Sequence, residues 1–192
     1  ILETKNMILN KFHSKNNIIS VSGISGGIGC TTIAMNMANI VAKKMPHHNI
    51  LFIDLSHTKA ISNLFLEQNP LPEKTIVDLV NSDEFDFESN LQNGLVKIRE
   101  NFHAITGIQK HIDRDIIVQS IFIEKFLGYI SKMGEQFNFI IIDTGESDSS
   151  SLNTTIYDIT NELWILTEMS LPHISKLKTF FSRLMPNYYL PT

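Results

Sequence analysis

The 192-residue sequence contains few cysteines, no excess of basic residues and no long apolar run. Its single cysteine excludes a disulfide framework within the chain and fits a reducing compartment. The net charge of −4 argues against a nucleic-acid surface, because neutralising phosphates requires clustered Lys and Arg. No apolar run approaches the roughly 20 residues that a membrane-spanning helix needs. We therefore expect a cytoplasmic protein with no nucleic-acid partner and no membrane segment of its own.

Strand and helix patterns alternate along the chain. A helix that begins at Thr31 is expected to stop at Pro46, because proline cannot continue a helix. Short apolar runs predict strands at 18–21, 50–53, 102–106, 139–142 and 163–166, and helical spacing predicts helices at 117–133 and 173–184. Strands that alternate with amphipathic helices form a mostly parallel sheet with helices on both faces. The predicted fold is therefore a doubly wound α/β domain.

A glycine-rich stretch follows the first predicted strand. This glycine loop (residues 23–29) reads Gly-Ile-Ser-Gly-Gly-Ile-Gly and leads into a helix that starts near Thr31 and Thr32. Glycines allow backbone N–H groups to converge on an anion, and the N-terminus of a helix adds positive potential. The strand–loop–helix order therefore predicts a phosphate-binding site.

Two interpretations of the glycine loop compete. As a degenerate Walker A loop, the stretch Ser25–Thr32 would place the Thr31 hydroxyl on Mg²⁺. As the glycine turn of a short-chain dehydrogenase, Gly23, Gly27 and Gly29 would bind a dinucleotide, and Asp54 would hold its ribose. The local pattern alone leaves the two interpretations nearly even.

The rest of the chain favours the Walker A interpretation. A short-chain dehydrogenase needs a Tyr-x-x-x-Lys pair, but Met133 lies four positions after Tyr129, and Asn161 lies four positions after Tyr157. The apolar strand that ends at Asp143 is instead typical of a Walker B element, whose carboxylate holds the water shell of Mg²⁺. We therefore predict a P-loop NTPase-like site.

These motifs, in this order, resemble the ParA/MinD family with its deviant Walker A loop. Within that family the sequence is most similar to the TadZ and CpaE pilus-assembly proteins. The resemblance is carried by Ser25–Thr32, Leu51–Leu55, Leu64–Glu67, Ile76–Val80, Ile140–Asp143 and Glu162–Thr167 with Leu171 and Pro172.

The resemblance implies cofactors, site residues and partners. ATP or ADP would bind with Mg²⁺; the nucleotide would be contacted by Gly26, Gly27, Ile28, Gly29, Cys30, Thr31 and Thr32, and the metal by Thr31, Asp54 and Asp143. The protein would form a homodimer across the nucleotide and assist assembly of a Tad-type pilus or secretion system, recruited to the cell pole or inner-membrane machinery. Residues 1–16 would be a linker or helix from a preceding domain, and residues 17–192 a nucleotide-binding domain truncated at its C-terminus.

Three positions depart from the family members that hydrolyse ATP. Ser25 stands where they have the signature lysine, Cys30 where they have a second lysine, and Ser56 where they have a second carboxylate. Transition-state charge would then lack its usual stabilisation. We expect hydrolysis to be weak or absent and assign no catalytic residue.

The alternatives are an active ParA-type ATPase or a short-chain-dehydrogenase-like NAD(P)-dependent oxidoreductase. A reactive Cys30 thiol at the helix N-terminus is a further alternative.

Overall fold

Six strands form one sheet in the computed structural model, which describes residues 17–56, 72, 74–82, 87–110, 112–147 and 150–184. They are β1 (Asn17–Gly23), β2 (Ile50–Asp54), β3 (Leu95–Arg99), β4 (Phe102–Ile105), β5 (Phe139–Glu146) and β6 (Glu162–Leu166). Their order across the sheet is β3-β4-β2-β5-β1-β6. Only the pair β3 and β4 is antiparallel. The prediction of a mostly parallel sheet is confirmed.

The strands are connected through seven helices among the described residues. These are α1 (Cys30–Lys44), α2 (Ile76–Val80), α3 (Phe87–Gly94), α4 (Asp113–Ile117), α5 (Ser120–Gln136), α6 (Ser151–Ile159) and α7 (Leu171–Leu184). The helix predicted at 117–133 is observed as α5, which begins at Ser120 and ends at Gln136, and Ile117 is instead the last residue of the separate helix α4. The expected linker at 1–16 and the segment Leu64–Glu67 lie outside the described residues.

Helices cover both faces of the sheet, as the predicted doubly wound fold requires. Along β5, Ile140 and Ile142 belong to a core shared with α5 and α6, whereas Ile141 belongs to a second core shared with α1. Successive side chains of a strand point to opposite faces, so each face buries its own apolar set. The fully apolar character of this strand follows from burial on both sides.

Helix α1 packs against the sheet through its small residues. Ala34, Ala38 and Ala42 are buried, while Ile33 and Ile40 are 42% and 56% exposed. The sequence pattern of larger apolar residues correctly indicated the helix but not its buried face. Alanines bring the helix axis close to β1, β2 and β5, which fixes the position of the glycine loop that precedes α1.

The Asn101 side chain ties the far end of α1 to the start of β4. Its amide nitrogen lies 3.0 Å from the Ala42 carbonyl, 3.2 Å from the Met45 carbonyl and 3.0 Å from the His48 carbonyl. These carbonyls include helix-end acceptors that have no partner within the helix. One side chain therefore fixes both the end of α1 and the turn that leads to β2.

We predict that Asn101→Ala lowers the free energy of unfolding by about 1–3 kcal/mol, because it leaves several carbonyls without their shared donor. Urea unfolding followed by circular dichroism measures the change. The matched control is Asn93→Ala, at an exposed position of α3, with an expected change within about 0.5 kcal/mol. Equal effects of the two substitutions would contradict the anchoring role of Asn101.

Candidate phosphate and metal site

The glycine loop lies at the carboxyl edge of the sheet, between the central strand β1 and α1. Ile24 donates its backbone N–H to Leu166 on β6, and the Ser147 N–H donates to the Gly23 carbonyl. Gly27 and Gly29 have φ angles of 78° and 98°, in the left-handed region where a side chain would be strained. This crevice outside the strand ends is where doubly wound sheets bind ligands.

The seven predicted nucleotide-contacting residues occupy this loop and the first turn of α1. Gly29 is the N-cap residue of α1, which begins at Cys30. Gly26, Gly27 and Thr32 are exposed, Ile28, Gly29 and Thr31 are partly exposed, and Cys30 is buried. The loop therefore presents an open backbone to solvent, with the side chain of Cys30 turned inward.

Cys30 and Ile28 pack over Gly23. A Cβ atom on Gly23 would lie 2.6 Å from the Cys30 Sγ and 2.5 Å from the Ile28 Cγ2. Burial, and then the negative charge of Asp143, raise the pKa of the Cys30 thiol to about 12. The thiol is therefore neutral at physiological pH, which argues against the reactive-thiol alternative.

The three predicted metal ligands come together beside the loop. Thr31 donates its hydroxyl to the Asp143 Oδ2 at 2.5 Å. Asp54, at the end of β2, is paired with Asp143 on the neighbouring strand β5, which continues to Glu146; both aspartates are fully buried. Burial, and then the nearby charge of Asp54, raise the pKa of Asp143 to about 6; the hydrogen bonds from Thr31 and the Gly145 N–H oppose this rise.

These donors fit a magnesium ion. A hydroxyl and two carboxylates are the oxygen ligands that Mg²⁺ prefers, and a divalent cation would relieve the repulsion between Asp54 and Asp143. The described residues contain no group of three or more His, Cys, Asp or Glu side chains that could hold a metal. The two carboxylates and the Thr31 hydroxyl would therefore supply only part of the Mg²⁺ shell, and water and phosphate oxygens would complete it.

Two contacts around Asp54 were not predicted from the sequence. Ser56 donates both its backbone N–H and its hydroxyl to the Asp54 Oδ1, at 3.0 and 2.7 Å. Gly107, two residues after β4, packs against the same carboxylate: a Cβ there would lie 2.9 Å from the Asp54 Oδ1. The sequence did contain a signal for Gly107, because this glycine directly follows the strand predicted at 102–106, at the carboxyl edge of the sheet.

Two further side chains from distant parts of the sequence reach the loop. A Cβ on Gly26 would lie 3.3 Å from the Glu146 Oε2, and the Ser25 hydroxyl lies 2.8 Å from the His173 Nε2 on α7. Sequence reasoning missed His173 because it lies 148 residues from Ser25. The site thus contains three carboxylates and an imidazole that contacts the glycine loop.

A family model for an AAA domain (AAA_31) matches residues 16–184. The chain belongs to this AAA domain family. No curated protein matches it. Among solved structures, the AAA domain is similar to a ParA family ATPase from Chlorobium tepidum TLS, with 19% identity, a TM-score of 0.71, and coverage of 92% of this chain and 70% of that one.

Two other solved structures share this fold. A putative plasmid partition protein from Borrelia burgdorferi B31 bound to AMPPNP has 19% identity, a TM-score of 0.64, and coverage of 93% of this chain and 74% of that one. The kinase domain of the Escherichia coli tyrosine kinase ETK has 16% identity, a TM-score of 0.68, and coverage of 94% and 66%. These likenesses confirm the predicted ParA/MinD-like P-loop fold.

We predict that alkylation of native Cys30 by iodoacetamide at pH 8 is at least about a hundredfold slower than in the urea-unfolded chain, because the thiol is buried and neutral. Mass spectrometry reports this residue alone, since the chain has one cysteine. The control is Thr32→Cys in a Cys30→Ala background, which places a thiol at an exposed position of the same helix. Similar rates for native Cys30 and the control would contradict the buried position.

We predict that Asp143→Asn stabilises the ligand-free AAA domain at pH 7.5 by about 1–3 kcal/mol. The folded-state pKa of Asp143 is raised from 3.8 to about 6. Its protonated form therefore stabilises the fold below about pH 4, and this contribution is lost as the pH rises through 6.

Urea unfolding of both proteins from pH 4 to pH 8 tests the effect of Asp143. The stability gained by Asp143→Asn should grow between pH 4 and pH 7. Asp158→Asn, on the exposed part of α6, serves as the control and should show no comparable growth. A gain that is independent of pH would contradict the charge explanation.

Proposed function

We propose that this AAA domain binds ATP or ADP with Mg²⁺ at the glycine loop and hydrolyses ATP weakly or not at all. The observation that carries this proposal is the hydrogen bond from Thr31 to Asp143, with Asp54 at the adjacent strand end. Thr31, Asp54 and Asp143 would hold Mg²⁺ or its water shell, and backbone N–H groups of the loop would bind phosphates. Bound Mg²⁺ supplies positive charge that the loop's own side chains lack.

The residues in place of the usual catalytic groups support weak hydrolysis. Both Ser56 donors bond to Asp54, so its hydroxyl is committed to that carboxylate and cannot replace a carboxylate that organises attacking water. Cys30 is a neutral thiol packed over Gly23, and Ser25 carries no charge. Developing charge on a transferring phosphate would therefore meet backbone dipoles and Mg²⁺ without a lysine.

The oxidoreductase alternative has less support from the site geometry. In that alternative Asp54 would hold a ribose, but its Oδ1 already accepts two hydrogen bonds from Ser56. Tyr129 is buried within α5, and the Tyr157 hydroxyl pairs with Ser22 at 2.9 Å. Neither tyrosine is followed by the lysine that proton transfer needs.

The wider role that we propose rests on the sequence resemblance to TadZ and CpaE. The protein would act in the cytoplasm as a nucleotide-dependent homodimer that helps to localise or assemble a Tad-type pilus or secretion system, with recruitment to the cell pole or inner-membrane machinery. The fold shared with a ParA family ATPase supports a switch of this kind. No helix among the described residues is long and apolar enough to cross a membrane.

We predict that calorimetric titration with Mg-ATP detects binding that EDTA abolishes, because Mg²⁺ must offset the carboxylates of the site. Thr31→Ala should weaken binding by at least about tenfold, since it removes one metal ligand and the hydroxyl that orients Asp143. Thr179→Ala, on the exposed face of α7, should leave the affinity unchanged. Light scattering in Mg-ATP should report a dimer.

Three results would contradict parts of the proposed function. No heat up to millimolar Mg-ATP would show that the loop does not bind nucleotide. Sustained phosphate release that Thr31→Ala abolishes would restore the active ATPase alternative. A fluorescence change on titration with NADH or NADPH, without ATP binding, would favour the oxidoreductase alternative.

A further inference from the structure

A chain of side-chain contacts links the glycine loop to the start of α7. The Ser25 hydroxyl lies 2.8 Å from the His173 Nε2, and the Ser170 hydroxyl lies 2.6 Å from the His173 Nδ1. The Glu168 carboxylate lies 3.6 Å from the same Nδ1. The imidazole is therefore held from both ring nitrogens, with a carboxylate on the side away from the loop.

The charges near the glycine loop are otherwise negative. Asp143 bonds to Thr31, and the Glu146 carboxylate lies beside Gly26. Among the described residues, no lysine or arginine forms a hydrogen bond or ion pair with residues 23–32. A phosphate group in the loop would thus approach several carboxylates. Among the described residues, His173 is the side chain able to become a cation that forms a hydrogen bond with the loop.

Protonation of His173 would change the donors that the loop offers. In the neutral ring with hydrogen on Nδ1, Nε2 accepts the Ser25 hydroxyl hydrogen. In the protonated ring, both nitrogens donate, and Ser25 accepts from Nε2. The Ser25 hydrogen is then released to donate to an anion, while Glu168 and Ser170 favour hydrogen on Nδ1.

We propose that His173 supplies the positive charge of this phosphate site, acting on a nucleotide phosphate by its charge and through the Ser25 hydroxyl, to which its Nε2 donates. Glu168 and Ser170 are positioning residues that keep the ring against the glycine loop. This inference rests on the proposed function, because it requires a phosphate group to enter the loop. It assigns to a side chain of α7 the positive charge that Ser25 and Cys30 do not supply.

A purely structural role for His173 is the competing explanation. Ser170 also accepts the Ile174 N–H at its carbonyl, so the Ser170–His173 bond could serve only to begin α7. The two explanations differ in whether a positive charge at position 173 is needed. A capping role would be weakened equally by glutamine and lysine at position 173, whereas a phosphate contact would be lost with glutamine and retained with lysine.

The experiment is calorimetric titration of Mg-ATP and magnesium pyrophosphate into the full chain and three variants. His173→Gln should weaken binding of both ligands by about ten- to a hundredfold, because it removes a charge-assisted contact. His173→Lys should bind within about threefold of the unsubstituted protein. The matched control is His47→Gln, in the exposed turn after α1, which should bind normally. Thermal unfolding shows whether each variant is folded.

Imidazole NMR signals provide a second measurement, in which ligand binding is observed on the unsubstituted protein. The His173 signals, assigned by their loss in His173→Gln, should shift when either ligand saturates the protein, and those of His47 should not.

If Mg-ATP binds, but His173 does not shift and His173→Gln binds equally well, this inference is wrong and the proposed function stands. If pyrophosphate shifts His173 but ATP does not bind, the inference stands and the nucleotide assignment fails. If neither ligand binds, both are wrong.

Discussion

The arrangement of the site depends on two buried carboxylates that lie side by side on neighbouring strands. Asp54 and Asp143 are brought side by side by the parallel pairing of β2 and β5, and the Thr31 hydroxyl bonds to Asp143 from the first turn of α1. Burial of two like charges is unfavourable without a cation or a proton. This cost is the physical reason for proposing that a cation binds here, and the Thr31–Asp143 bond connects the carboxylates to the first turn of α1 after the glycine loop.

Around this centre, the glycine loop itself carries no charged side chain. The proposed phosphate site depends on the left-handed glycines, the N-terminus of α1 and the Thr31–Asp143 bond. Ser25, Cys30 and Ser56 stand where the sequence resemblance leads us to expect two lysines and a second carboxylate. In the function that we propose, backbone groups and Mg²⁺ would support ground-state binding, and transition-state stabilisation would be reduced.

Packing is close at two glycines beside the site. Cys30 and Ile28 lie over Gly23, and Gly107 lies against Asp54, whose Oδ1 also accepts the Ser56 hydroxyl. Because each contact is close, a side chain at position 23 or 107 would displace its neighbours.

The sequence by itself determined the mostly parallel sheet, the glycine loop and the aspartates that follow two apolar runs, because apolar periodicity and glycine spacing are local signals. It missed β3, the short helices α2, α3, α4 and α6, and the extension of β5 beyond Asp143 to Glu146, and it did not reveal that α1 buries its alanines. Only the tertiary structure brought Ser25 against His173, Glu146 against Gly26 and Gly107 against Asp54. Such pairs are created by strand order across the sheet, and contacts between residues far apart in the chain leave no mark in local spacing.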